Sequence, residues 1–122
     1  MHERKETLSV EMFADGYESR MANLDDYAGY FESIAAGTDF SAYYDSCEVP
    51  HWGYVFKGRL RFVYADGGIE EVSAGDLYYV PPGHTFEVLE DSETVEFGPR
   101  IPLEAHFPLV AANMDAAAQR QG

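Results

Sequence analysis

Cysteine is nearly absent: Cys47 is the single one in 122 residues, so no internal disulfide can form. That excludes a small secreted scaffold held by disulfides and points to a reducing cytoplasm. No apolar run is long enough to span a bilayer, and the polar start, Met1 to Thr7, has no hydrophobic stretch behind it to serve as a secretory core. Basic residues are scarce too, with 8 Lys and Arg against 22 Asp and Glu and a formal net charge of -14. A field of that sign repels phosphate backbones and anionic lipid, so neither nucleic acid nor membrane is an expected partner, and its plainest consequence is solubility. Also missing are a Gly-x-Ser-x-Gly nucleophile turn, a phosphate-binding glycine loop and any internal repeat. Glu87, Glu93 and Glu96 scatter without the paired arrangement that acid–base hydrolysis uses, which leaves a glycosidase with little support.

What is present is core material for one domain over residues 1–122: the chain is 46% hydrophobic and 15% aromatic, which excludes disorder of the whole. Leu8 to Met12 alternates apolar and polar residues ahead of the turn Ala14-Asp15-Gly16, and Ser19 to Leu24 and Tyr30 to Ile34 read as further strands. A loop is expected over 36–41. The run His51 to Phe56, the break Lys57-Gly58 and the alternation from Arg59 to Tyr64 predict a hairpin. Asp66-Gly67-Gly68 and Ala74-Gly75-Asp76 are turn signals around strands at Ile69 to Ser73 and Leu77 to Val80. Pro81-Pro82-Gly83 cannot continue a central strand, and Thr85 to Leu89 and Thr94 to Phe97 then read as two strands about a turn at Glu90-Asp91-Ser92. Closely spaced strands without intervening helices predict an all-β antiparallel sandwich or barrel. Only the Ala-rich tail over 108–122 looks helical.

Gly75, five residues, Pro81-Pro82-Gly83 and His84 resemble the second signature of the cupin superfamily. Upstream, Tyr54 to Gly58 resembles the end of the first signature, a histidine pair, a few residues, a glutamate, six residues and a glycine. The resemblance covers about residues 40–100, and Pro50 to Tyr54 with Pro81 to Thr85 is similar to a group of small single-domain bacterial cupins. It implies an antiparallel double-stranded β-helix, the jelly-roll barrel, here with a short C-terminal helix, often dimeric and with metal-binding side chains at its wider end. The pattern departs at the ligands. Counting back from Gly58, the glutamate position holds His51, the histidine pair falls near Asp45 and Cys47, and the second-signature histidine position holds Phe86. His84 lies two residues from Phe86 and so on the same strand face, where it can take the ligand role while Phe86 shapes the cavity.

Cys47, His51 and His84 then form a thiolate and two imidazoles, a set suited to a divalent Zn or Fe rather than Ca or Mg. Asp45, His106 or water would be a fourth ligand, and Asp45, Phe86 and Tyr54 are candidate pocket residues. Each has a plainer role open to it: a buried Cys serves as a small hydrophobe, and His51 and His84 serve as hydrogen-bonded structural residues. His2 and His106 are expected at the surface. If His51 points inward, Trp52, Tyr54 and Phe56 face out and need cover, from a homodimer partner or from the N-terminal strands. Arg59 and Arg61 read as an anion clamp or a solvated strand face. The expected function is a cytoplasmic metal-binding cupin acting on or binding a small organic molecule. If it is an enzyme, the metal would polarise a carbonyl or carboxylate, or bind dioxygen. A metal-free module that binds or senses a small molecule is the alternative.

Overall fold

The computed structural model describes residues 1–38, 40 and 43–121, with the backbone alone at 13 and 121. Strands β1 (Val10–Ala14), β2 (Tyr17–Leu24), β3 (Tyr27–Ile34), β4 (His51–Tyr64), β5 (Ile69–Ser73), β6 (Leu77–Val80) and β7 (His84–Pro99) precede helix α1 (Arg100–Gln121). All pairings are antiparallel, in the order β1-β2-β3-β7-β4-β5 with β6 added beside the start of β4. The jelly-roll expectation holds, although the sheet does not close: among the described residues β1 is one free edge, and β5 and β6, which both pair with β4, make up the other.

The expected hairpin at Lys57-Gly58 and the expected turn at Glu90-Asp91-Ser92 are both corrected, because each lies inside one long strand. β4 and β7 pair along their whole length with register shifts between Val55 and Leu60. The breaks visible in the sequence are therefore bulges, which bend two strands together and bring their ends around a common interior. Gly58 sits at this bend with φ +90.

Alternation decides what the interior receives. On β3 it turns Ala28, Tyr30 and Ile34 inward, with Glu32 on the same face; on β7 it turns in Ser92, Thr94, Glu96 and Gly98. Apolar side chains from all seven strands, among them Met12, Ile34, Val55, Phe62 and Val88, pack with Val110 and Met114 of α1. The helix begins earlier than the expected 108–122, at Arg100, where the Arg100 N–H donates to Asp26 O at 2.9 Å and its Nε to Asp25 O at 2.6 Å. Farther along, Asn113 Nδ2 donates to Tyr43 O at 2.7 Å and ties the helix to the loop before β4. Residue 122 and residues 39 and 41 of the expected 36–41 loop lie outside the described residues. Arg61 bonds Glu71 and Glu87, and Arg59 bonds Glu90, all at the surface, which makes the basic pair part of a solvated strand face rather than an anion clamp.

Candidate functional site

Backbone pairing assembles the three candidate ligands. Cys47 N–H donates to His84 O at 2.8 Å and Gly83 N–H to Cys47 O at 2.9 Å, a short antiparallel bridge made after Gly83, at φ +85, turns the chain. His51 opens β4 opposite Val80. The outcome is that one ligand atom from each of Cys47, His51 and His84 lies within 4.8 Å of the other two, and all three residues are buried. Cys47 Sγ is 3.2 Å from His51 Nε2.

Hydrogen-bond partners assign the tautomers. His84 Nδ1 is 2.7 Å from Pro81 O, which only accepts, so this nitrogen carries the proton and Nε2 is left with its lone pair. Tyr30 Oη donates to Glu96 Oε1 at 2.8 Å and therefore accepts from His51 Nδ1 at 3.0 Å. His51 Nε2 is then a lone-pair nitrogen directed at the thiol. Each imidazole is thus oriented by a partner on its other nitrogen, as metal-binding histidines are. Burial pushes the Cys47 thiol up to about 12, with the Glu96 and Glu32 carboxyls adding to the rise. Burial likewise brings His51 down to about 4, against the pull of Glu96. A thiolate here needs a cation beside it.

The three residues border an internal cavity of about 40 Å³, enough for an ion and one or two waters. Phe40, Phe62 and Phe86 form its apolar wall, and α1 covers it with His106, Phe107 and Val110. Phe86 lies in this wall with its ring centroid 4.5 Å from that of Phe40. Two pocket expectations are corrected: Asp45 is exposed and Tyr54 packs on Phe56 on the outer face, and neither lines the cavity. The period of two that aims His51 inward sends Tyr54 outward, and the bridge at Cys47 leaves Asp45 on the solvent side. His106 is corrected in the other direction, since the helix starts early enough to bury it partly against the cavity. His2 is exposed as expected.

Of Glu87, Glu93 and Glu96 only Glu96 reaches the cavity, where a residue not singled out in the sequence, Glu32, joins it. Glu96 is 7% exposed and lines the cavity together with Glu32. Tyr17 donates to Glu32 Oε2, Tyr30 to Glu96 Oε1, and Tyr78 to Glu96 Oε2 at 2.7 Å. Burial and the neighbouring Glu96 carboxyl hold Glu32 well above the usual carboxylate range. Burial would raise Glu96 as well, but His51, the neighbouring Glu32 carboxyl and the donors Tyr78 and Tyr30 outweigh it and keep Glu96 ionised. The only sequence signal for this pair is alternation, which sets Glu32 in line with Tyr30 and Ile34, and Glu96 in line with Thr94.

An ionised Glu96 sets a charge requirement. Among the described residues no Lys or Arg lines the cavity, so this carboxylate has no cationic side chain beside it. A divalent ion offset by the Cys47 thiolate and the Glu96 carboxylate would leave the interior neutral, so the donor set and its surroundings fit a soft-to-borderline dication.

Because Glu32 binds its proton more tightly in the folded chain, it favours folding at low pH, and that contribution fades as pH rises above the ordinary glutamate range. Compared with Glu32→Gln, which is always neutral, the parent should lose about 1.4 kcal/mol per pH unit from about pH 4.3 up to the elevated pKa of Glu32. Urea unfolding of both proteins across that range measures it. A constant difference would contradict a neutral Glu32.

The cupin domain family matches residues 30–97, more than half of the chain. Among solved structures, an RmlC-like cupin from Shewanella frigidimarina NCIMB 400 superposes with a TM-score of 0.63 at 19% identity, over 80% of this chain and 87% of that one. A variant of Bacillus subtilis oxalate decarboxylase gives a TM-score of 0.59 at 19% identity, over 77% of this chain. This chain spans only 28% of the decarboxylase, and at such identities both likenesses speak for the fold alone. No curated protein matches the sequence significantly. With two signature segments meeting at one cavity and the family matching across the strands that build it, the chain belongs to the cupin family.

Proposed function

We propose that this cupin binds a divalent metal, Zn or Fe, through Cys47, His51 and His84, and that it acts on or binds a small organic molecule in the adjoining cavity. The observation that carries the reading is the convergence of a thiol and two imidazole lone pairs beside a buried carboxylate with no cationic side chain near it. A structure of B. subtilis oxalate decarboxylase is described by its Mn(II) centres, so the fold accommodates a metal; a thiolate in the present set favours a softer ion than Mn. When bound, the metal would supply Lewis acidity toward a ligand oxygen. The chain's own parts do the rest: Tyr30 and Pro81 O hold the imidazoles, Phe40 and Phe86 exclude water, and Glu96 balances charge. Elemental analysis of protein purified without added metal or chelator tests the reading. About one equivalent of Zn or Fe supports it, and none turns the cavity into a metal-free pocket, a reading its phenylalanine wall would favour.

We place the protein in the cytoplasm, where a lone thiol stays reduced; no helix is long and apolar enough to cross a membrane. A homodimer through the outer face of β4 and β6 completes the reading. Trp52, Phe56, Leu77 and Tyr79 are exposed there, Trp52 lies opposite Tyr79, and Tyr27 packs on Trp52 at 5.8 Å. A chain of charge -14 repels its own copy, and a face of uncharged aromatics is where two copies can meet at least electrostatic cost. Light scattering should report a dimer at micromolar concentration, and Trp52→Glu a monomer. A monomeric parent would sink this.

A further inference from the structure

Helix α1 lies beyond residues 30–97, where the family matches, yet it covers the cavity. Its inward stripe is Leu103, Phe107, Val110 and Met114. Leu103, Val110 and Met114 are 0%, 3% and 2% exposed, and Phe107 packs edge-on against Tyr30 with ring centroids 5.0 Å apart. His106 stands three residues after Leu103 and four before Val110, which sets it on the same side of the helix, and it lines the cavity with Cys47, His51 and His84. The helix is held in this rotation. Arg100 bonds Asp25 O and Asp26 O at its start, and Asn113 bonds Tyr43 O farther along.

An imidazole turned toward an apolar stripe needs partners for its ring nitrogens. His51 and His84 have theirs in Tyr30 and Pro81 O, but among the described residues neither nitrogen of His106 is hydrogen-bonded. Its ring packs edge-on against Tyr44 at 5.4 Å. The carboxyls at the cavity are already committed, Glu32 to Tyr17 and Glu96 to Tyr30 and Tyr78. Glu96 also reaches His51 through Tyr30 on Nδ1, so it stands behind that ring, away from Nε2 and the thiol. Charge points the same way. The Cys47 thiolate and Glu96 already offset a dication, so a further anionic ligand would leave the interior negative, whereas an imidazole adds a donor and no charge.

We propose, on the reading of Cys47, His51 and His84 as metal ligands, that His106 is the fourth protein ligand, a displaceable imidazole supplied by α1. His106 is outside the set of ligand atoms that lie within 4.8 Å of one another, so its side chain or the helical turn that carries it must shift inward to reach the ion. Pro108 loosens that turn. With no N–H of its own, it leaves Glu104 O without the usual helical bond just where His106 sits. Four protein ligands close the coordination, as in structural zinc sites, and withdrawal of His106 opens one position, as in catalytic sites. A small molecule therefore meets the metal only where His106 has left it, and α1 controls that access.

Cobalt(II) is the probe, because its visible bands report coordination number while its ultraviolet sulfur-to-metal band reports Cys47 separately. The parent loaded with one equivalent should show the strong visible bands of a four-coordinate site, unchanged by added imidazole. His106→Ala should keep the sulfur band and the circular dichroism of the parent, since alanine suits a half-buried helical position. Its visible bands should weaken and shift as water takes the fourth place, and imidazole, which fits the space the side chain vacates, should restore them. Zinc affinity, measured against a chelating dye, should fall about 10–100-fold, the range that loss of a supporting residue around a metal typically costs. Visible bands identical in parent and variant, a variant that imidazole leaves unchanged, or a parent whose bands imidazole alters would each overturn the role of His106. Those results leave the sulfur band, and with it the three-ligand site, in place. A parent that binds no cobalt and shows no sulfur band would instead remove the proposed site itself, and the fourth ligand with it.

Discussion

Replacing His84 with alanine is expected to remove most of the bound metal, lowering affinity at least about 100-fold, beyond the 10–100-fold that loss of an orienting partner alone typically costs. His51→Ala should do the same. With one of three protein ligands gone, the two that remain compete poorly with solvent. Cys47→Ser is the sharper variant because it nearly conserves volume while exchanging a soft sulfur for a hard hydroxyl. Cys47 is buried and held by backbone bonds to Gly83 and His84 that the substitution leaves in place, so folding stability should stay within about 1 kcal/mol of the parent. Metal loss without matching loss of stability separates a ligand from a small hydrophobe. Elemental analysis and urea unfolding of the three variants provide the two readings. Retention of metal in all three would sink the site.

Substituting Gly58 with alanine should destabilise the chain by about 3–5 kcal/mol, among the largest effects expected of any single substitution. Two costs combine. The residue has φ +90, a conformation that costs a non-glycine residue about 1–3 kcal/mol. Its new Cβ would also lie 2.3 Å from Asp91 O and 2.4 Å from Ser92 Oγ, and neither can yield easily. Asp91 O is backbone, and Ser92 is a buried residue whose hydroxyl donates to Glu90 O at 2.7 Å. The two long strands pass close to each other here, so relief would require parting them. Gly67→Ala isolates the first cost, since Gly67 has φ +89 with no atom within 4 Å of the added carbon, and should lose only about 1–2 kcal/mol. Chemical unfolding of both variants makes the comparison. Equal losses would show that the close approach at Gly58 does not constrain the fold.

Gly58 also shows how far local reading of this chain reaches. Lys57-Gly58 and Glu90-Asp91-Ser92 carry the composition of turns, and both were expected to end strands. In the structure they face each other as bulges in β4 and β7, because a glycine at positive φ bends a strand or reverses it depending on what the partner strand does. At Asp66-Gly67-Gly68 and Ala74-Gly75-Asp76, where the chain reverses between β4 and β5 and between β5 and β6, local chemistry suffices, and β5 and β6 have the expected bounds.

By itself the sequence determined the antiparallel strand class, the two signature segments, and Cys47, His51 and His84 as the candidate ligands, because alternation, turn chemistry and ligand type are properties of neighbours along the chain. Tertiary structure alone decided that Glu32 and Glu96 line one cavity, that His106 is drawn to it by an early helix start, and that Asp45 stays outside it. Those outcomes depend on the register between β3 and β7 and on the packing of α1, and the free energy of a buried carboxyl is set by groups distant in sequence that only the folded sheet brings within hydrogen-bonding reach.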